Sequence, residues 1–236
     1  MNTIDFDDSY FEARKGSDAQ RMKMHNIDRK RVLSYINSAK PVAQQSKRAF
    51  LDIGCSDGRF LKGFGFAEGN WGIEPNASQS EMARDNGLKM VDSASEVPRL
   101  DTVILRGVLH HLPDYRETIS QIIHAFTNSQ SSNTKFLFLL ANPNAESLMY
   151  KKFGRLPALE SGTNFNSVYK VHGAKEIMGE LNLNGFIGHL HYPYLLTPYS
   201  HPIQDFSSII KSVTLRRYIP SPFPRNMFNL ALELIR

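Results

Sequence analysis

One stretch limits the possible folds more than any other: Arg48-Ala49-Phe50-Leu51-Asp52-Ile53-Gly54-Cys55-Ser56-Asp57-Gly58-Arg59-Phe60-Leu61. Ala49 to Ile53 has the apolar character of a strand covered on both faces, interrupted only by Asp52 near its carboxyl end. Gly54 and Gly58 permit left-handed backbone and the close approach of a ligand. Asp57 stands where a first-turn residue would, ahead of a helix through Phe60, Leu61 and Phe64. Ligands of open α/β sheets sit outside the carboxyl ends of the strands, so a strand, a glycine turn and a helix in succession mark a binding crevice.

The spacing narrows the ligand. A dinucleotide fingerprint needs glycines two and five positions after Gly54, where Ser56 and Arg59 stand, and no Gly-Lys-Ser/Thr follows to make a phosphate loop. What is left is an acid and then Gly-x-Ser-x-Gly. This resembles the first motif of the class I S-adenosylmethionine-dependent methyltransferases, Asp/Glu-x-Gly-x-Gly-x-Gly, with Ser56 at the middle glycine; the plainer alternative is an ordinary strand-to-helix turn. Asn70-Trp71-Gly72-Ile73-Glu74-Pro75 then reads as a second strand ending in an acid, twenty positions beyond Gly54. A carboxylate there can accept hydrogen bonds from both ribose hydroxyls of a nucleoside. The family's second motif ends its strand in an acid in the same way.

The rest of the core follows in order. A helix is expected from Ser78 to Asn86, stopped by Gly87, then a short strand Leu88–Val91 and the loop Asp92-Ser93-Ala94-Ser95. In the family the corresponding loop holds the adenine, often through an Asp just before an Ala, so Ser93 and Ala94 are carried over and Ser93 departs from the pattern. Asp101–Arg106 reads as the fourth strand. Gly107-Val108-Leu109-His110-His111-Leu112-Pro113-Asp114 resembles the family's segment after that strand, where Gly107 would let the chain pass the methionyl arm and Leu109 would cover the adenine. Asp114 opens a helix with the stripe Ile119, Ile122, Ile123 and Phe126, and Phe136–Ala141 is a fully buried fifth strand. Asn142-Pro143-Asn144 resembles a turn bordering the acceptor site in many small-molecule methyltransferases. A helix from Ala174 to Leu183, a strand from Phe186 to Tyr192 and a last strand from Met227 to Ile235, expected at the antiparallel edge of the sheet, complete the pattern.

The expected fold class is therefore α/β: a Rossmann-like, seven-stranded, mostly parallel sheet with helices on both faces. One domain would fill residues 1–236, with a helical cap over 1–45, a cofactor-binding core over 46–144 and a second half over 145–236. Insertions at 145–171 and 193–225, rich in aromatic residues, would build the acceptor pocket. In similar methyltransferases a segment like the cap closes over the cofactor. That makes Tyr10, Phe11 and Arg14 contact candidates, Arg14 because a guanidinium suits the methionyl carboxylate; surface packing of the two aromatics is the alternative.

The resemblance implies S-adenosylmethionine as cofactor and S-adenosylhomocysteine as product. The binding set it carries over is Tyr10, Arg14, Asp52, Gly54, Cys55, Ser56, Gly58, Glu74, Pro75, Ser93, Ala94, Arg106, Gly107 and Leu109. A sulfonium methyl is already activated, so a general base is needed only for a protonated acceptor. His110 and His111 are the candidates, with His110 expected to face the crevice and His111 to be a core histidine bonded to backbone. His189 and His191 share a strand face without carboxylates beside them, so no metal site is assigned. His172 is read as structural, and Cys55 as a small loop residue with no base to activate it.

Composition sets outer bounds. The chain has 236 residues, 41% hydrophobic and 22% charged, and a single cysteine leaves no internal disulfide to form. The longest apolar run, Phe136–Ala141, is too short to cross a bilayer, and a cytoplasmic protein is expected. A net charge of +5 permits a nucleic-acid partner without requiring one. The densest basic group, Arg21 to Arg31, is either a solvated helix face or the phosphate track of a tRNA methyltransferase. The favoured reading is methyl transfer, preferentially to oxygen, on a sugar, sugar nucleotide or secondary metabolite. A non-catalytic cofactor-binding partner protein is the other rival.

Overall fold

The structure is a computed structural model. It describes residues 22, 25, 26, 29, 49–64, 69–128, 145–146, 151, 170–183 and 185, together with the backbone of three strands at 135–143, 187–191 and 227–235. Tyr10, Phe11, Arg14 and most of the two expected insertions lie outside the described residues.

The elements alternate as a doubly wound fold requires: β1 (Phe50–Ile53), α1 (Arg59–Lys62), β2 (Asn70–Ile73), α2 (Ala77–Asp85), β3 (Lys89–Met90), β4 (Thr102–Arg106), α3 (Tyr115–Asn128), β5 (Lys135–Pro143), α4 (Ala174–Leu183), β6 (Ile187–His191) and β7 (Met227–Ile235). The strands lie in the order β3-β2-β1-β4-β5-β7-β6. β1 pairs in parallel with β2 on one side and β4 on the other, and β3 and β5 extend the parallel ladder outward. β7 runs antiparallel between β5 and β6, so the last strand lies inside the sheet and β6, not β7, takes the edge expected for it; β7 finds a partner on each side. The order reverses between β1 and β4, so the crevice of this α/β sheet opens at their carboxyl ends.

Alternation along the strands sorts the core into two layers. Phe50 of β1 and Ile104 of β4 pack with Phe60 and Leu61 of α1 and with Ala83 and Leu88 around α2. Leu51, Ile53, Val103 and Leu105 turn to the other side, against Ile119, Ile122 and Phe126 of α3 and Ala174, Ile177 and Leu181 of α4. Asp52 falls between Leu51 and Ile53 and so shares the Phe50 face, which puts a carboxylate in an apolar layer. At the opposite end of the same strands, Asp101 is fully buried and accepts from the Ala49 amide at 2.9 Å and from Arg99 Nε at 3.0 Å.

Several boundaries shift for local reasons. α2 starts at Ala77 because Asn76 is its cap, accepting from the Gln79 amide at 2.9 Å. Asp57 precedes α1 rather than entering it: Gly58, at φ 73°, turns the chain first. Asp114 likewise caps α3 from outside, accepting from the Arg116 amide at 2.9 Å. β5 runs through Pro143, so most of the expected Asn-Pro-Asn turn belongs to the strand. Among the described residues, no helix is long and apolar enough to cross a membrane.

Candidate functional site

The loop after β1 is wound tightly. Gly54, Ser56 and Gly58 all take left-handed backbone, at φ 70°, 51° and 73°. At Gly54 the turn is forced by contact as well as by φ, since a Cβ there would stand 2.6 Å from Val108 Cγ2. Ser56 holds a conformation that costs a non-glycine residue on the order of 1 kcal/mol. Its hydroxyl donates to Gln79 Oε1 at 3.0 Å, which anchors the loop to the first turn of α2.

Glu74 reaches into this loop from the tip of β2. One carboxylate oxygen accepts from the Ser56 amide at 2.9 Å and the other from the Asn76 amide at 3.1 Å. Each oxygen keeps a further lone pair, so two acceptor positions remain. Burial raises the Glu74 pKa, and the two backbone amides offset part of that rise. Pro75 beside it is exposed.

Asp52 sits deeper. Burial pushes its carboxyl up to about 7, with Arg106 acting against the rise and Glu74 adding to it. The Arg106 guanidinium lies 3.9 Å from the centroid of the Phe60 ring, a cation–π contact that holds the charge at the carboxyl end of β4. Asp57 accepts from the Arg59 amide at 3.2 Å and from Arg59 Nε at 2.7 Å, while its carbonyl accepts from Asn86 Nδ2 at 2.7 Å, joining α1 to the end of α2. Cys55 is buried, and burial raises its thiol pKa. Its sulfur fills the notch left by Gly72, where a Cβ would come within 2.7 Å of it, so Cys55 is a packing residue of the loop.

The candidates after β3 and β4 divide. Ala94 is buried, and the Ser93 side chain and amide form a capping box with Glu96, so that hydroxyl is engaged locally. Leu109, expected over the adenine, is 1% exposed and packs in the α3-side core with Leu112 and Tyr115; the tight 3-10 turn Leu109–His111 rotates it inward. At Gly107, with φ 68°, a side chain would meet only His110 Cε1 among the described residues, at 4.0 Å. The two histidine rings lie 3.8 Å apart. Their exposures reverse the expectation: His110 is 4% exposed and accepts on its carbonyl from the Lys170 amide at 3.4 Å, whereas His111 is half-buried. His172 is buried with Nδ1 3.2 Å from Glu176 Oε1, and burial lowers its pKa.

The crevice thus gathers Asp52, Gly54, Ser56, Glu74, Arg106, Gly107 and the histidine pair around the ends of β1, β2 and β4. Gln79 and Arg29 join this region through Ser56 and Phe60, outside the set that the motifs point to. Gln79 carries a visible signal, because Asn76-x-x-Gln79 is a capping signature. Arg29 carries none.

A family model described as a methyltransferase domain matches residues 24–185. No curated protein matches the chain. Among solved structures it is similar to a methyltransferase of Thermotoga maritima, described as a possible histamine N-methyltransferase, at 13% identity over 94% of this chain and 97% of that one, with a TM-score of 0.56. It is also similar to the magnesium protoporphyrin IX methyltransferase of Synechocystis with bound S-adenosylhomocysteine (16% identity, 91% and 84% covered, TM-score 0.54). A third likeness is to the plantazolicin methyltransferase BamL, solved with a desmethyl-plantazolicin analogue and S-adenosylhomocysteine (13% identity, 94% and 90% covered, TM-score 0.59). These likenesses establish the fold, while the family match spans well over half of the sequence: the chain belongs to the methyltransferase-domain family and is an S-adenosylmethionine-dependent methyltransferase.

Proposed function

We propose that the chain methylates a small organic acceptor, with oxygen the favoured atom, and that its cofactor lies along the ends of β1, β2 and β4. The observation that carries the cofactor's placement is Glu74, braced by two backbone amides and left with two free acceptor positions at the mouth of a left-handed loop. A ribose diol matches those positions in number and polarity. Among the described residues no atom comes nearer than 4.0 Å to a side-chain position at Gly107, which leaves room for the methionyl arm, and Arg106 supplies a positive charge at the end of the same strand. The residues therefore fit the group. When bound, it supplies a methyl already activated by the sulfonium.

What remains for the chain is to orient, to exclude water and to take up a proton. His111, the more accessible of the pair, is assigned as the base for a hydroxyl acceptor, and the His110 ring lies beside it at a 42° tilt. Histidine is the side chain whose ordinary titration lies nearest neutral pH. The acceptor pocket is assigned to the segments at 145–171 and 193–225 within a single domain, over a complete seven-stranded sheet. Solved structures of the same fold include a plantazolicin methyltransferase and a magnesium protoporphyrin IX methyltransferase, which supports a small organic acceptor. The RNA reading loses one element of its phosphate track, because Arg29 donates to the carbonyls of Arg59 and Phe60.

The test is methyl transfer to a panel of hydroxylated metabolites and peptides. His111→Ala should lower transfer by about 100-fold or more, with calorimetric affinity for S-adenosylhomocysteine within about twofold of the parent. Glu74→Ala should abolish that affinity. Equal binding by Glu74→Ala would overturn the cofactor placement, loss of affinity in His111→Ala would remove its role as base, and binding without turnover of any acceptor would favour a non-catalytic partner.

A further inference from the structure

Helix α1 is a single turn, Arg59–Lys62, and it follows directly on the loop that Gly58 closes. One turn is a poor helix, because nucleation is unfavourable and few bonds are returned. Its final carbonyls also lack a next turn to receive them. Arg29 supplies donors from thirty residues upstream. Nε donates to the Phe60 carbonyl at 2.8 Å, Nη2 to the Arg59 carbonyl, and Nη1 to Asn26 Oδ1 at 2.7 Å. Gly63 makes the room, since a side chain there would overlap the Arg29 guanidinium.

The same contact sets the surroundings of Phe60. Its ring has the Arg106 guanidinium at 3.9 Å, that of Arg29 at 5.9 Å and the His25 ring edge-on at 5.7 Å. Two cations converging on one ring repel each other, and each needs its own acceptors to stay. Those of Arg29 are the α1 carbonyls, which lets Phe60 keep Arg106 within electrostatic reach of Asp52.

We propose that Arg29 is a positioning residue for the cofactor loop: it caps α1 from outside, fixes Gly58 and Phe60, and through Phe60 aligns Arg106. Affinity for the cofactor then depends on a side chain that touches no part of it. The proposal rests on the cofactor placement above, and the experiment separates the two.

Full-length wild type, Arg29→Gln, Arg29→Lys, Gly63→Ala and the Arg29→Gln/Gly63→Ala double variant are titrated with S-adenosylhomocysteine by calorimetry, at a temperature where circular dichroism finds each folded. Arg29→Gln and Gly63→Ala should each weaken binding by about tenfold. The double variant should be no weaker than the poorer single one, because both break the same contact. Arg29→Lys should fall between, as an ammonium can reach carbonyls but cannot span two of them as a fork. With an acceptor in hand, KM for the cofactor should rise while kcat changes less. If Arg29→Gln does not fold, Gly63→Ala and Arg29→Lys carry the same thresholds. Wild-type affinity within twofold in the folded variants, or multiplicative losses in the double variant, would overturn the proposal alone. A wild-type chain that binds no S-adenosylhomocysteine would overturn the cofactor placement itself.

Discussion

Gly54 and Gly107 look alike in sequence and in φ, but their surroundings assign them different jobs. At Gly54 a methyl group would strike Val108, so Gly54→Ala combines left-handed strain with overpacking and should cost about 2–4 kcal/mol in chemical denaturation. Adding Val108→Ala should recover part of that loss, and no recovery would mean the contact is not what forbids a side chain. At Gly107 a methyl group would meet only His110 Cε1 among the described residues, at an unstrained 4.0 Å. Gly107→Ala should therefore cost only about 1 kcal/mol of stability while weakening S-adenosylhomocysteine binding by about tenfold. The glycine turn of Asp52–Gly58 and the acid at the tip of β2 were legible in the sequence, because turn geometry and strand ends are written in residue type and spacing. The order of the histidines was not, since a 3-10 turn breaks the alternation by which facing is judged; it also turns Leu109 into the core.

The elements are joined at both ends of the central strands by carboxylates of opposite consequence. Glu74 ties the tip of β2 to the loop after β1, at the crevice. Asp101 ties the start of β4 to the start of β1, far from it, with a buried charge balanced by the Ala49 amide and Arg99. Asp101→Ala leaves that amide and Arg99 without their acceptor and should cost about 3 kcal/mol of stability. The folded variant should bind S-adenosylhomocysteine with unchanged affinity, and a weakened constant would show that the two ends communicate. Cap signatures were present in the sequence at Asn76-x-x-Gln79 and Ser93-x-x-Glu96; the second closes as a reciprocal box, while in the first Asn76 caps the Gln79 amide and the Gln79 side chain turns to Ser56. The docking of Arg29 on α1 joins segments with no shared local pattern, so no window of sequence could reveal it.

Across the whole molecule the two-layer arrangement buries Asp52 in the apolar layer under α1, and this gives the fold a pH dependence. Burial holds the Asp52 carboxyl up at about 7 and raises that of Glu74 as well. The folded chain keeps protons that the unfolded chain releases near the ordinary carboxylate value of about 4. That stabilisation is complete below about pH 4 and is lost as the pH rises toward 7. The melting temperature of the cofactor-free protein should fall between about pH 5 and pH 7.5, and Asp52→Asn should flatten the fall by about 3 °C or more. An identical slope in the variant would place the titrating group elsewhere. The parallel half of the sheet was readable from strand, glycine and helix signals in succession, whereas the position of β7 was not, because strand neighbours are chosen by the whole chain.

That position bears on how the molecule is made. β7 separates β5 from β6 but is synthesised after both. While the ribosome is still translating residues 192–226, β6 has no ladder to join and β5 presents an open edge, the kind of surface that chaperones cover and that neighbouring nascent chains can invade.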